Sequence, residues 1–202
     1  MTLHHRHAIV LAAGTGSRLG LGPKALLPWN GEVLATRAAR AAALAGCSVS
    51  IAIGPGAVEV RRWLRRRSSS AVAVHVHDAA LGMSASLRAA VRQLRSAGPR
   101  PDVVIVLLVD QPGVDEAVIR RLLDAHTTGR ATRAAWNGVP GNPVVFDTDD
   151  LIEAADAALG DSAARVWLAL HPHLVDAVEC GDLSSGADVD EPSDLAAWPE
   201  LG

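Results

Sequence analysis

Tyrosine is absent from this 202-residue chain, and phenylalanine occurs once, at Phe146. Nucleic-acid surfaces pair basic groups with stacking rings. The basic run Arg61, Arg62, Arg65, Arg66 and Arg67 has only Trp63 beside it, so it reads as a solvated helix face and no nucleic-acid partner is expected. Cysteine is scarce too. Cys47 and Cys180 lie far apart without ligand-type spacing and are expected as free buried thiols in a reducing compartment. No apolar run approaches the roughly 20 residues that span a bilayer. The polar start Met1–His7, followed by a short apolar run ending at Gly14, does not resemble a signal peptide. No membrane contact and a cytoplasmic location are therefore expected. His4, His5 and His7 read as a frayed terminus ahead of a strand, not as a metal cluster. Lysine is the sharpest scarcity: of 19 Lys and Arg residues, Lys24 alone is lysine and 18 are arginine. A bias toward Ala, Arg and Gly accounts for such a ratio. The two cations are nevertheless not interchangeable, and Lys24 is the first position to test for a role.

What is present suits one soluble globular domain over residues 1–202, with 49% hydrophobic and 20% charged residues. The net charge of −3 conceals an asymmetry. Residues 1–100 carry 14 basic and 3 acidic side chains, and residues 101–202 carry 5 and 19. A basic half suits anionic ligands and an acidic half suits a divalent cation. Apolar, β-branched runs at Ala8–Ala13, Val49–Gly54, Val72–Val76 and Val103–Val109 alternate with helical patterns near 33–46, 57–67, 84–97, 114–127 and 161–171. This alternation predicts an α/β fold of three layers (αβα) around a mostly parallel, twisted, Rossmann-like sheet. The second half is mixed, with strands near 143–147, 174–179 and 187–190.

In such sheets ligands lie beyond the carboxyl ends of the strands. The loops after the strands, Gly14-Thr15-Gly16-Ser17-Arg18, His77-Asp78 and Asp110-Gln111-Pro112, should therefore converge on one crevice. Residues 11–24 read L-A-A-G-T-G-S-R-L-G-L-G-P-K. The glycines leave backbone N–H groups open to phosphate oxygens, Ser17 adds a hydroxyl, and Arg18 and Lys24 add charge, which together suit a triphosphate. A P-loop is excluded because Pro23 precedes Lys24, Ala25 follows it and Pro28 blocks a helix. A dinucleotide fingerprint is excluded because Leu19 stands where glycine is needed and the second strand ends Ile53-Gly54-Pro55 without an acid. Asp110 ends the most apolar strand, where a carboxylate is costly unless paired or metal-bound; capping a helix ahead of Pro112 is its structural alternative. Asp188 and Asp190 share a face if that segment is extended. Two carboxylates beside a triphosphate make a Mg²⁺ site, because hard oxygen ligands and substrate phosphates are what Mg²⁺ prefers. Asp194 caps or faces solvent. Trp63, Trp136, Trp167, Trp198 and His171 are assigned to packing.

The loop motif, with the L-P that follows, resembles the signature of GT-A-like nucleotidyltransferases, and within them the MobA/MocA-type family that attaches a nucleotide to the molybdenum cofactor. Pro28-Trp29-Asn30-Gly31, Gly82-Met83-Ser84-Ala85-Ser86-Leu87, Asp110-Gln111-Pro112, Gly141-Asn142-Pro143, Gly160–Arg165 and Asp188–Leu195 resemble further motifs of that family, in order, over nearly the whole chain. The resemblance implies transfer of a nucleotide to a phosphorylated acceptor, with the nucleotide on residues up to about 112 and the acceptor on 113–202. It implies catalytic roles for Arg18, Lys24 and Asp110, and Mg²⁺ binding by Asp110 with a partner from the Asp188/Asp190 pair. Nucleotide contacts would come from Leu11, Ala12, Ala13, Gly14, Gly16, Ser17, Asp78, Ser84 and Ser86, with helix capping the alternative for Ser84. Acceptor contacts would come from Gly141, Asn142, Pro143 and Arg165, with a surface salt bridge the alternative for Arg165. Asp161 or Ser162 would cap the helix that follows. Asp78 replaces a frequent Asn. Asn142 replaces a His, which departs from the usual molybdopterin acceptor. Leu11-Ala12-Ala13-Gly14 resembles the cytidylyltransferase form, whereas guanylyltransferases of this type read L-A-G-G, so CTP is the expected donor. Transient contact with a molybdenum hydroxylase is implied downstream. A guanylyltransferase, a nucleotidyltransferase on another phosphorylated acceptor, a non-catalytic molybdenum-cofactor carrier and an oxidoreductase on the same scaffold are the competing functions.

Overall fold

The computed structural model describes residues 5–67 and 69–201; His4 lies outside them. The strands are β1 (Arg6–Ala12), β2 (Pro28–Trp29), β3 (Glu32–Val33), β4 (Ser48–Ile53), β5 (Val72–His75), β6 (Val103–Leu108), β7 (Ala131–Trp136), β8 (Val139–Asp147) and β9 (Val175–Glu179). The helices are α1 (Leu34–Leu44), α2 (Ala57–Arg66), α3 (Met83–Ser96), α4 (Glu116–Ala125), α5 (Thr148–Ala157) and α6 (Arg165–Leu170). Seven strands form one sheet in the order β5-β4-β1-β6-β8-β7-β9, and β2 and β3 form a separate hairpin. β8 runs antiparallel to both of its neighbours, while the β1–β4, β1–β6, β4–β5 and β7–β9 pairs are parallel.

The period-2 alternation of each strand divides the core into two. Ala8, Val10 and Ala12 of β1 face α1, α2 and α4, packing with Leu34, Leu64, Val118 and Leu122. Ile9 and Leu11 face α3, α5 and α6, packing with Leu87, Phe146, Leu151 and Trp167. These are the three layers expected. β1 and β6 carry helix-packed side chains on both faces, which is why they read as continuous apolar runs. After β1 the chain moves outward to β4 and β5, then returns to β6 on the other side of β1. That reversal places a crevice at the carboxyl ends of β1 and β6.

The second half departs from expectation in several places. No strand forms at 187–190; the segment is irregular and is tied to the sheet by Val189 N–H donating to Asp110 O at 2.8 Å. β8 is longer than 143–147, β7 was not anticipated, and α5 occupies 148–157, where no helix was expected. Alanine-rich segments carry this failure: Ala131, Ala134 and Ala135 of β7 are buried by their neighbours and not by strand propensity, and Ala154 and Ala155 give α5 only a faint apolar stripe. The helix expected at 161–171 is a single 3-10 turn at Gly160–Ser162 followed by α6. The arginine run on α2 and its C-cap is largely solvated: Arg62, Arg65, Arg66 and Arg67 are exposed and Arg61 is half-buried. Cys47 and Cys180 are free and buried, and Trp167 packs edge-on against Phe146 with ring centroids 5.7 Å apart.

His7 belongs to β1 instead of a frayed end. It is buried, and its Nδ1 and Nε2 lie 2.7 and 2.9 Å from the hydroxyls of Ser48 and Ser50 on β4. Burial, and secondarily the neighbouring His5, lower its pKa to about 4. The folded state thus binds a proton less readily than the unfolded chain, whose histidine titrates near 6.5. The associated stability is full above pH 6.5 and is lost as pH falls toward 4, by at most about 3 kcal/mol. His7→Gln should therefore lose stability at pH 7 but show a smaller further drop in thermal midpoint between pH 7 and pH 4.5 than the wild type. Equal drops would rule out His7 as a contributor.

Candidate active site

The crevice at the β1–β6 switch point is a cavity of about 600 Å³. On one side is the loop from Ala13 to Arg18. Leu19, 3% exposed, anchors this loop in the core, and Leu19 and Gly20 N–H groups close a turn onto Gly16 O at 3.1 Å. Gly16 has φ +64, and a Cβ there would run into Gly22 O and crowd Lys24, so the loop can fold back on itself only with glycine at this position. The fold-back aims Lys24, at the head of a 3-10 turn, into the crevice.

Lys24 is the centre of an ion network. Its side chain is 11% exposed, and Nζ donates to Asp110 Oδ2 at 2.7 Å and also to Asp190 Oδ1. Arg18 Nη2, at the open mouth, donates to the other oxygen of Asp190 at 2.8 Å. Burial alone would lower the Lys24 pKa, but the charges and hydrogen bonds of Asp110 and Asp190 outweigh it, so the net direction is upward and the ammonium is secured. Asp190 is held below its usual range by the hydrogen bond from Lys24, with Arg18 assisting. Asp188 behaves oppositely: burial first, then the nearby Asp110 carboxylate, push it up to about 6. Asp110 does not cap a helix, because Asp115 caps α4 by accepting from the Ala117 and Val118 N–H groups. Asp194 does cap, accepting from the Asp190 and Glu191 N–H groups at 2.8 Å and shaping the turn that presents Asp190.

Of the residues expected at the nucleotide, Leu11, Ala13, Gly14, Gly16, Ser17 and Ser86 line this cavity together with Arg18, Lys24, Asp110, Asp188 and Asp190. Three others stand elsewhere. Ala12 turns to the opposite face of β1, as strand alternation requires. Asp78 is exposed and precedes a 3-10 turn whose Ala79 and Ala80 line the cavity in its place. Ser84 is buried inside the first turn of α3, where its hydroxyl accepts from Arg88 Nη2 at 3.1 Å; Gly82, not Ser84, is the N-cap residue. On the acceptor side, Asn142 and Arg165 line the crevice and also an adjoining cavity of about 220 Å³. Gly141 lines only the smaller cavity, and Pro143 is buried and lines neither. Ser162 Oγ accepts from Leu159 N–H within the 3-10 turn.

Three contributors went unrecognised in the sequence. Gln111 is buried; its Nε2 donates to Gly186 O at 2.9 Å and its side chain hydrogen-bonds Asp188, which holds the acidic segment against β6. Asp161 lies in the crevice and accepts from Met83 N–H at 3.3 Å, capping α3 from 78 residues away instead of its own helix. Arg133 of β7 lines the smaller cavity. The D-Q-P motif was a signal for Gln111, whereas Asp161 and Arg133 act only through tertiary placement. Among the described residues, no helix is long and apolar enough to cross a membrane.

A glycine-rich loop, two cations and a cluster of carboxylates at a switch point can hold a polyphosphate. The comparisons agree. The chain matches the MobA-like NTP transferase domain over residues 8–177. It is 38% identical over 190 residues to the nicotine blue oxidoreductase of Paenarthrobacter nicotinovorans, covering 90% of each. It is 31% identical over 160 residues to the 2-C-methyl-D-erythritol 4-phosphate cytidylyltransferase of Saccharopolyspora erythraea, covering 79% of this chain and 67% of the relative. A nucleotidyl transferase from Methanothermobacter superposes with a TM-score of 0.80 at 25% identity, over 98% of this chain and 97% of the other. The chain therefore belongs to the MobA-like NTP transferase domain family and is a nucleotidyltransferase.

Proposed function

We propose that the protein transfers CMP from CTP to a phosphorylated small-molecule acceptor, releasing pyrophosphate, as one cytoplasmic domain whose residues up to about 112 hold the nucleotide and whose residues 113–202 hold the acceptor. The observation that carries this reading is the secured ammonium of Lys24 between Asp110 and Asp190, in a crevice rimmed by the Gly14–Arg18 loop. Loop N–H groups and the Ser17 hydroxyl supply donors to the phosphates, and Lys24 and Arg18 offset charge that builds on the departing pyrophosphate. The acceptor phosphate is already ionised, so the crevice needs no general base, and positioning plus charge neutralisation account for the catalysis.

The donor set fits a divalent cation. Asp110 and Asp188 are hard oxygen donors that line the same crevice. Mg²⁺ held by these two would, when bound, neutralise phosphate charge. Asp188 is the better partner of the pair considered, because Asp190 is already matched by Lys24 and Arg18. The family resemblance makes molybdopterin the first acceptor to try, with a molybdenum hydroxylase as recipient of the product. Asn142 offers that acceptor no positive charge, so other phosphorylated acceptors belong in the same trial.

CTP is favoured because Ala13, which lines the crevice, stands where guanylyltransferases of this type carry glycine. In competition between equimolar CTP and GTP, CMP incorporation should exceed GMP by at least tenfold; equal incorporation would contradict the preference. The name of the 38%-identical relative favours a second reading, an oxidoreductase on the same scaffold. That reading expects NAD(P)H oxidation with quinone-like acceptors, and failure of that assay disposes of it.

A further inference from the structure

The smaller cavity is built unlike the phosphate cradle beside it. Val106 and Leu108 of β6, Val144 and Phe146 of β8 and Leu168 of α6 give it apolar walls. Two guanidiniums reach it, Arg133 from β7 and Arg165 from the first turn of α6. Arg133 is partly buried, and its Nε donates to Gly141 O at 3.1 Å. That bond fixes the plane of the fork and leaves both terminal nitrogens without a hydrogen-bond partner among the described residues. The Arg165 side chain makes no hydrogen bond among those residues, and neither guanidinium has a carboxylate within ion-pair distance there. Burial first, and Arg165 second, lower the pKa of Arg133; a guanidinium stays charged at physiological pH regardless. Two like charges in a partly apolar pocket, without a counter-ion, are costly for the free protein. An anion bridging both offsets that cost, and the flat, forked donors match the tetrahedral oxygens of a phosphate.

We propose that Arg133 and Arg165 form the subsite for the phosphate monoester of the acceptor, with the apolar body of that acceptor against Leu108 and Leu168. This rests on the transferase reading above. Arg165 and Asn142 line both cavities, so a phosphate held there faces the nucleotide across their shared mouth. One of its ionised oxygens forms the new bond to the α-phosphorus as the bond to the pyrophosphate oxygen breaks. Pyrophosphate leaves with that electron pair, and no proton has to move. The pocket thus selects acceptors that join a compact apolar or aromatic body to a phosphate.

Calorimetric titration with phenyl phosphate and with inorganic phosphate tests this. The wild type should bind phenyl phosphate at least fivefold more tightly than inorganic phosphate. Arg133→Met, which keeps the apolar volume, should weaken phenyl phosphate at least tenfold while leaving CTP affinity with Mg²⁺ within twofold. Arg165→Met, at an exposed position, should do the same for phenyl phosphate and gives the answer if the Arg133 variant does not fold. Phenyl phosphate affinity unchanged in the folded variants would overturn the subsite, because binding would then lie in the Gly14–Arg18 cradle. Arginine-dependent binding without pyrophosphate release from any nucleotide would uphold the anion subsite and reject the transferase reading instead.

Discussion

Lys24→Ala is expected to lower pyrophosphate release by about 10²–10³-fold, the usual cost of removing one preorganised electrostatic contact. The ammonium is 11% exposed, so little water replaces it when it is lost. Asp110 would then lose its ion pair, and Asp190 would keep only that with Arg18, an exposed side chain at the mouth. Lys24→Arg should not restore activity. Nζ fits as a point charge between Asp110 Oδ2 and Asp190 Oδ1, and a planar fork is longer and wider than that gap. Steady-state pyrophosphate release, with thermal unfolding run alongside to confirm folding, checks both variants. Full activity in Lys24→Arg would mean that the 18-to-1 arginine excess is only compositional bias.

Asp110→Asn is expected to be as damaging, again about 10²–10³-fold in turnover. The substitution keeps shape but removes one of the two carboxylates proposed for Mg²⁺ and one of the two that secure Lys24. It also relieves Asp188 of a like charge. The diagnostic readout is the metal requirement: the Mg²⁺ concentration for half-maximal rate should rise at least tenfold. A fall in turnover with an unchanged Mg²⁺ requirement would assign Asp110 to holding Lys24 alone.

The parts of the site legible in the sequence are those in which local chemistry is its own signal. Gly14, Gly16, Arg18 and Lys24 sit together in the chain, and Asp110 stands out because it ends an apolar strand. The alternation of Ala8–Ala13 and the continuity of Val103–Val109 gave the layers and the central strands. The parts that were hidden depend on distant partners. Asp161 caps a helix 78 residues away. Ser84 looks like a cap yet lies inside α3, because Gly82 with φ +88 turns the chain two residues earlier. Asp188 and Asp190 look like strand residues, yet a single backbone bond at Val189, the Gln111 contacts and the Asp194 cap place them. Arg133 has no motif around it, and its role follows from the cavity that β8 and α6 build.

The most direct test is pyrophosphate release from each of the four nucleoside triphosphates, with a panel of phosphorylated acceptors, with and without Mg²⁺. Release should require both Mg²⁺ and an acceptor, be fastest with CTP and be lost in Lys24→Ala. Absence of release with every nucleotide and acceptor, or release at an equal rate from Lys24→Ala, would contradict the proposed transfer.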